Sequence, residues 1–220
     1  MLISNSHQFV FIHIFKTAGT SVRDVFLPYS RPIERLTFEF YLSKKLIALY
    51  ARLRGLENDG QAFVTGYHKH ATAQEVVEKM GAERFAKYYS FCFVRNPYDH
   101  MVSLYHYIQQ SRGHYLHAEA NARTFDEFLA LYISQQPQRQ TDFVFDAYGN
   151  PLVRFVGRFE RLEEDTRQIC EALDLPVPNL QKKNTSARSK KVDDYFKNQE
   201  TKDLFLSYFR PDFIHFNYPM

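Results

Sequence analysis

The sequence predicts an α/β fold, a central parallel β-sheet flanked by helices. Three observations predict it. Short apolar runs rich in Phe, Ile, Val and Tyr occur at Gln8–Ile14, Ala62–Tyr67 and Tyr88–Val94, the pattern of strands covered on both faces. Stretches with helical periodicity separate them, which favours a parallel sheet with helices on both sides. Two of the runs lead directly into polar loops, and open sheets of this kind bind ligands beyond the carboxyl ends of their strands.

Each element has a local reason. Gln8–Ile14 is the first strand, broken by Phe15–Gly19, and Thr20–Phe26 turns helical. Arg31–Arg54 carries Leu36, Phe40, Ile47 and Tyr50 at helical spacing, giving one long helix or two short ones. Ala62–Tyr67 is the second strand. Thr72 then caps a helix to Met80, with Glu75 completing a capping box and Gly81 ending it. Tyr88–Val94 is the third strand, and Pro97 suits the first turn of a helix running to Gln110. Thr124 and Glu127 form a second capping box for a helix to Ser134. Phe143–Arg158 alternates around Gly149-Asn150 as a hairpin, Leu162–Leu173 is helical, and Asp193–Phe209 is a last amphipathic helix stopped near Pro211. With no repeat, linker or low-complexity block, residues 1–220 read as a single domain.

Composition narrows the function classes. Hydrophobic residues make up 45% of the 220, sufficient for a substantial core. A formal charge of +3 is mild, does not by itself suggest nucleic-acid binding and fits a protein with one local anion site; no nucleic-acid partner is expected. Cys92 and Cys170 lack a metal-like or disulfide-framework spacing and read as buried thiols. The amino-terminal apolar run is short and interrupted by His13, so it reads as a strand, not a signal peptide, and no run reaches the length of a membrane span. A cytoplasmic protein with no transmembrane segment and no metal is expected.

The loop Phe15-Lys16-Thr17-Ala18-Gly19-Thr20-Ser21 lies between strand and helix. Small residues let backbone N–H groups approach an anion, the helix start adds unsatisfied donors, Lys16 adds a cation, and Thr20 and Ser21 add hydroxyls. This assembly suits a phosphate or phosphosulfate. It is not a Walker A loop, because its lysine precedes the glycine, and Gly55–Gln61 has the glycine spacing but no lysine. The bland alternative is a tight turn. The second loop places Arg95 at the end of a strand, Asn96-Pro97 at a helix start and Ser103 two turns inside. A guanidinium is a planar fork of donors for phosphate, and Ser103 can reach the same oxygens. Asp99 reads as a first-turn dipole partner. The alternatives are a sheet-edge salt bridge for Arg95 and a helix-surface hydroxyl for Ser103.

Gly66-Tyr67-His68-Lys69-His70 follows the second strand. In an extended segment, His68 and His70 face the same way, and histidine is the natural base near neutral pH. An ordinary surface pair is the alternative.

HIFKTAGTS and FVRNPYDHMVSLYHY, in this order, resemble the two donor-binding motifs of sulfotransferases that use 3′-phosphoadenosine-5′-phosphosulfate (PAPS). The likeness is to the carbohydrate branch that includes heparan sulfate 2-O-sulfotransferase and the chondroitin sulfotransferases. It extends through TFDEFL, FVGRFERLEEDTRQIC and the ending YFRPDFIHFNY. The resemblance implies a P-loop-like three-layer domain. It implies Lys16, Thr17, Ala18, Gly19, Thr20 and Ser21 around the 5′-phosphosulfate, and Arg95 and Ser103 on the 3′-phosphate. It also implies a basic segment closing over the nucleotide, for which Lys182–Lys191 is the candidate with Arg188 foremost. Phe15 departs from the family, which usually has proline there. A similar His-x-His in that branch carries a catalytic base, which places the base at His68, with His70 as second choice or substrate-orienting partner, and Lys16 on the leaving oxygen. The product would be adenosine 3′,5′-bisphosphate and the acceptor a hydroxyl on a glycan or sugar-containing metabolite. Tyr105, Tyr107 and Tyr115 could stack on sugars or simply pack. Competing functions are a P-loop kinase, for which Gly-Lys-Ser/Thr and an acidic magnesium ligand are not evident, a non-catalytic nucleotide-binding module and an interaction domain.

Overall fold

The structure is a computed structural model that describes residues 1–30, 67–178 and 191–220. The described residues contain four strands in the order β1-β2-β3-β4: β1 Leu2–Ser4, β2 Phe9–Ile12, β3 Tyr89–Val94 and β4 Phe155–Arg158. β2 and β3 run parallel, as expected for these apolar runs, and the structure pairs Phe9 with Tyr89 and Ile12 with Cys92. β1 is an antiparallel edge strand pairing Leu2 with Phe11. The predicted strand at 62–67 and helix at 31–54 lie outside the described residues, apart from Tyr67.

Eight α-helices occur among the described residues: α1 Gly19–Phe26, α2 Ala73–Met80, α3 Ala82–Ala86, α4 Pro97–Gln110, α5 His117–Ala122, α6 Phe125–Ser134, α7 Leu162–Ala172 and α8 Gln199–His215. Both predicted capping boxes form. The Thr72 and Thr124 hydroxyls accept from the Glu75 and Glu127 N–H groups, and each glutamate reaches back to the N-cap backbone. Two expectations are corrected. The last helix does not stop at Pro211 but begins after the Asn198 cap and runs through the proline to His215. Burial of Phe205, Phe209 and Phe213 along one face outweighs the lost backbone bond, a cost of about 3 kcal/mol. Nor is 143–158 a full hairpin. Only Phe145 and Pro151 bridge around the Gly149 turn, and the second arm becomes β4 beside β3, guided by Arg154 N–H bonds to the Ser90 carbonyl and hydroxyl.

The chain forms two compact units. One comprises Met1–Phe93 and Phe143–Gln181, and the other Val94–Asp142 and Lys182–Met220. In the first, α1 and α7 cover the sheet through Val22, Phe26, Ile169 and Cys170, which pack with Phe9, Phe11, Phe91 and Phe93. Phe26 lies 5.6 Å from Phe9 and 4.9 Å from Phe91, ring to ring. Cys92 and Cys170 are buried thiols in this core. In the second, Tyr98 of α4 meets Phe205 and Phe213 of α8 at 5.1 and 5.0 Å. No helix among the described residues is long and apolar enough to cross a membrane.

Candidate active site

The loop after β2 is built in an uncommon conformation. Lys16 and Ala18 sit at φ 62° and 64°, the left-handed region that side chains disfavour by about 1–2 kcal/mol each. Backbone strain of this kind clusters at ligand sites. Thr17 is buried, and its Oγ1 donates to the Ile14 carbonyl at 2.9 Å, so that hydroxyl braces the loop. Ala18 is the N-cap of α1 and makes no side-chain cap hydrogen bond to the first-turn N–H groups. Thr20 is exposed on the first turn and Ser21 buried behind it.

Gly19 is needed for a reason the sequence hides. A Cβ there would stand 1.9 Å from both Cδ2 and Nε2 of the His13 ring. His13 is only 4% exposed and stacks on Phe11 at 5.6 Å, so it cannot step aside. Gly19→Ala should therefore lower stability by about 1–3 kcal/mol, the range for overpacking, and weaken anion binding by displacing the loop. Urea unfolding checks the first effect and nucleotide titration the second, and an alanine variant matching the parent in both would refute the contact.

The histidines share this unit. His70 Nδ1 lies 2.8 Å from the His13 carbonyl oxygen. A carbonyl only accepts, so Nδ1 carries the hydrogen, and Nε2 of the neutral ring holds a lone pair. Burial lowers the His70 pKa to about 4, keeping the ring neutral at pH 7. The His13 ring stands 4.7 Å from the His70 ring and is held well below its ordinary pKa, chiefly by burial. Its Nδ1 has no hydrogen-bond partner among the described residues. His68 is differently engaged. Its Nε2 lies 3.3 Å from Glu75 Oε1, the carboxylate that closes the α2 capping box. The two histidines do not lie in an extended segment, because the chain turns there with the Ala71 N–H on the His68 carbonyl.

In the second unit, Arg95 follows β3 and is 8% exposed. Its Nε and Nη2 both stand 2.5 Å from Asp99 Oδ2, so Asp99 orients the guanidinium besides sitting in the first turn of α4. The salt-bridge alternative is thus real, and it holds the fork of donors in one pose. Asn96 caps α4, accepting from the Tyr98 and Asp99 N–H groups at 3.0 and 3.5 Å. Ser103, also buried, is one turn beyond Asp99 on the same helix face. Arg188 and residues 182–190 lie outside the described residues. Tyr105 is buried with its hydroxyl on the Arg123 carbonyl, whereas Tyr107 and Tyr115 are exposed. Among the described residues, no group of three or more His, Cys, Asp or Glu is placed to hold a metal ion.

A model of the sulfotransferase family matches residues 1–219. The chain belongs to the sulfotransferase family. Members are transferases that act on hydroxyl-bearing acceptors and generally use PAPS as sulfuryl donor. An uncharacterized protein of Archaeoglobus fulgidus is 30% identical to this sulfotransferase-family chain over 120 residues, covering 50% of the chain and 87% of that protein. No solved structure matches the chain. The family match runs through both loops and the histidine segment. Residues that sequence reasoning left out of the site are His13, visible there only as a polar break in an apolar run, and Gln140 and Asp212, whose partners are distant in sequence.

Proposed function

We propose that residues 1–220 work as a single PAPS-dependent O-sulfotransferase module in the cytoplasm, a compartment suited to free thiols such as Cys92 and Cys170. The acceptor is a hydroxyl of a carbohydrate. One observation carries the proposal. A neutral histidine with a fixed tautomer hangs from the same strand end, at His13, that shapes an anion loop bearing Lys16. Lone pair, cation and backbone donors are what in-line transfer to an alcohol requires.

In this mechanism the acceptor hydroxyl gives its proton to His70 Nε2. Its oxygen forms a bond to sulfur as the bond from sulfur to the bridging phosphate oxygen breaks. Lys16, with the N–H groups of Ala18, Gly19, Thr20 and Ser21, holds the 5′-phosphosulfate and takes up the charge developing on the leaving oxygen. Thr17 keeps the loop in shape. Arg95, oriented by Asp99, and Ser103 hold the 3′-phosphate, and Arg188 belongs to the segment that covers the nucleotide. The product is adenosine 3′,5′-bisphosphate. His70 is preferred to His68 as base because its ring is tied to the His13 carbonyl and meets Phe15 of the loop at 6.1 Å, whereas His68 is tied to Glu75 of the α2 capping box, and His68 then orients the acceptor. The carbohydrate preference is supported by the likeness of both loops to the carbohydrate branch. It is also supported by the exposed ring of Tyr115, stacked on His114 at 4.9 Å, since ring faces of this kind suit sugars.

The test is calorimetry with adenosine 3′,5′-bisphosphate beside ATP–magnesium, followed by transfer from labelled PAPS to a panel of hydroxyl acceptors including glycans. Binding of the bisphosphate alone, with label appearing in a glycan, is expected. A folded chain that ignores the bisphosphate, or binds it and labels no acceptor, ends the proposal.

A further inference from the structure

The carboxyl-terminal segment YFRPDFIHFNY contains a buried carboxylate that the mechanism does not use. Asp212 is 1% exposed, on the face of α8 otherwise formed by Phe205, Phe209 and Phe213. Its oxygens accept two successive backbone N–H groups, Gln140 to Oδ2 at 3.1 Å and Thr141 to Oδ1 at 2.8 Å. Gln140 is itself 1% exposed, and its amide makes a two-point pairing with the backbone of Arg95. The Arg95 N–H donates to Gln140 Oε1 at 2.9 Å, and Gln140 Nε2 donates to the Arg95 carbonyl at 2.9 Å. The side-chain amide thus does for Arg95 what a neighbouring strand would do, one residue beyond the end of β3.

We infer that Gln140, held by Asp212, is a positioning residue that fixes the peptide of Arg95 and so sets the selectivity of this sulfotransferase for a nucleotide bearing a 3′-phosphate. Three features support a role beyond packing. The clamp takes both hydrogen-bonding groups of one residue, and that residue carries the guanidinium. It acts at the junction between strand and helix, where φ and ψ decide the direction of the Arg95 side chain. It also commits a carboxylate to a buried site, a cost that its two backbone hydrogen bonds offset only while that backbone stays in place. Asp99 fixes the far end of the arginine and Gln140 the near end, so the donor fork has one pose available. The inference rests on the proposed contact between Arg95 and the 3′-phosphate.

The experiment compares the affinity of the full chain for adenosine 3′,5′-bisphosphate and adenosine 5′-monophosphate, which differ only in that phosphate. Arg95→Ala is the reference and should abolish the preference for the bisphosphate. Gln140→Ala should reduce the preference by about tenfold, the scale of one charge-assisted hydrogen bond, with affinity for the monophosphate unchanged. Gln140→Glu keeps the acceptor for the Arg95 N–H but sets an oxygen against the Arg95 carbonyl, and it should act in the same direction. If both nucleotides weaken equally, or the preference survives in Gln140 variants while Arg95→Ala loses it, the clamp is overturned and the role of Arg95 stands. If Arg95→Ala keeps the preference, the 3′-phosphate contact falls and the inference with it. Should the Gln140 variants not fold, amide exchange on the unmodified chain decides. The Arg95 amide should exchange slowly without nucleotide, and rapid exchange there would overturn the clamp.

Discussion

Lys16→Ala is expected to lower turnover by about 10²–10³-fold, the loss typical when one preorganised group facing a transition-state charge is removed. The backbone at Lys16 lies in the left-handed region, where alanine is no worse placed than lysine, so the loop keeps its path and the loss reports the ammonium. Affinity for adenosine 3′,5′-bisphosphate should fall far less than turnover, because in the proposed mode the product's phosphates still meet the N–H groups at the start of α1 and Arg95. Such a pattern, turnover lost with ground-state binding largely kept, marks an interaction made chiefly in the transition state. Single-turnover transfer from labelled PAPS and calorimetry with the bisphosphate measure the two quantities. Near-normal transfer by Lys16→Ala would remove lysine from the chemistry, and an equal fall in both would make it a simple binding charge.

What could be read from the sequence follows the distance between partners. The capping boxes of α2 and α6 join residues three apart, and Pro97 announces the start of α4 by its own geometry, so these elements appeared at their observed places. The parallel pairing of β2 and β3 followed from unbroken apolar runs. β1 carries too few residues to show a period. In the sequence Gly19 reads as one of the small residues that let an anion approach the backbone; the left-handed positions belong to Lys16 and Ala18, and the glycine also makes room for His13. The spacing of His68 and His70 gives no choice between them and the resemblance puts His68 first, because their partners, Glu75 and the His13 carbonyl, are set by a turn and by a contact 57 residues away in the chain. Asp212 lies beyond the predicted helix end near Pro211, so nothing in the sequence places it on the buried face it shares with Phe205, Phe209 and Phe213. Its partners Gln140 and Thr141 lie 72 and 71 residues away and no local pattern names them.

His70→Ala is expected to reduce turnover by about 10²–10⁴-fold, the range for removing a positioned general base, and His68→Ala by much less. The reason is where each ring is anchored. The His70 Nδ1–H is held by a backbone carbonyl that no side-chain substitution removes and its ring meets Phe15 of the loop at 6.1 Å, whereas His68 is anchored to the capping carboxylate of α2. Equal losses in the two variants, or a larger one at His68, would reverse the assignment. The same burial has a consequence for stability. The folded chain holds the His70 pKa at about 4, below the ordinary 6.5, so as pH falls the unfolded chain takes up this proton first. Stability is then full above about pH 6.5 and is lost progressively between there and pH 4, at about 1.4 kcal/mol per unit for this one group. His13, shifted the same way by burial, steepens the loss. His70→Phe should flatten the dependence measured by urea unfolding across that window, and an unchanged slope would contradict the buried neutral ring. Bound adenosine 3′,5′-bisphosphate should raise the His70 pKa, because nearby negative charge favours the imidazolium. Titration of the ring protons by NMR, with and without the nucleotide, therefore locates the anion relative to the base, and a value that does not rise would separate them.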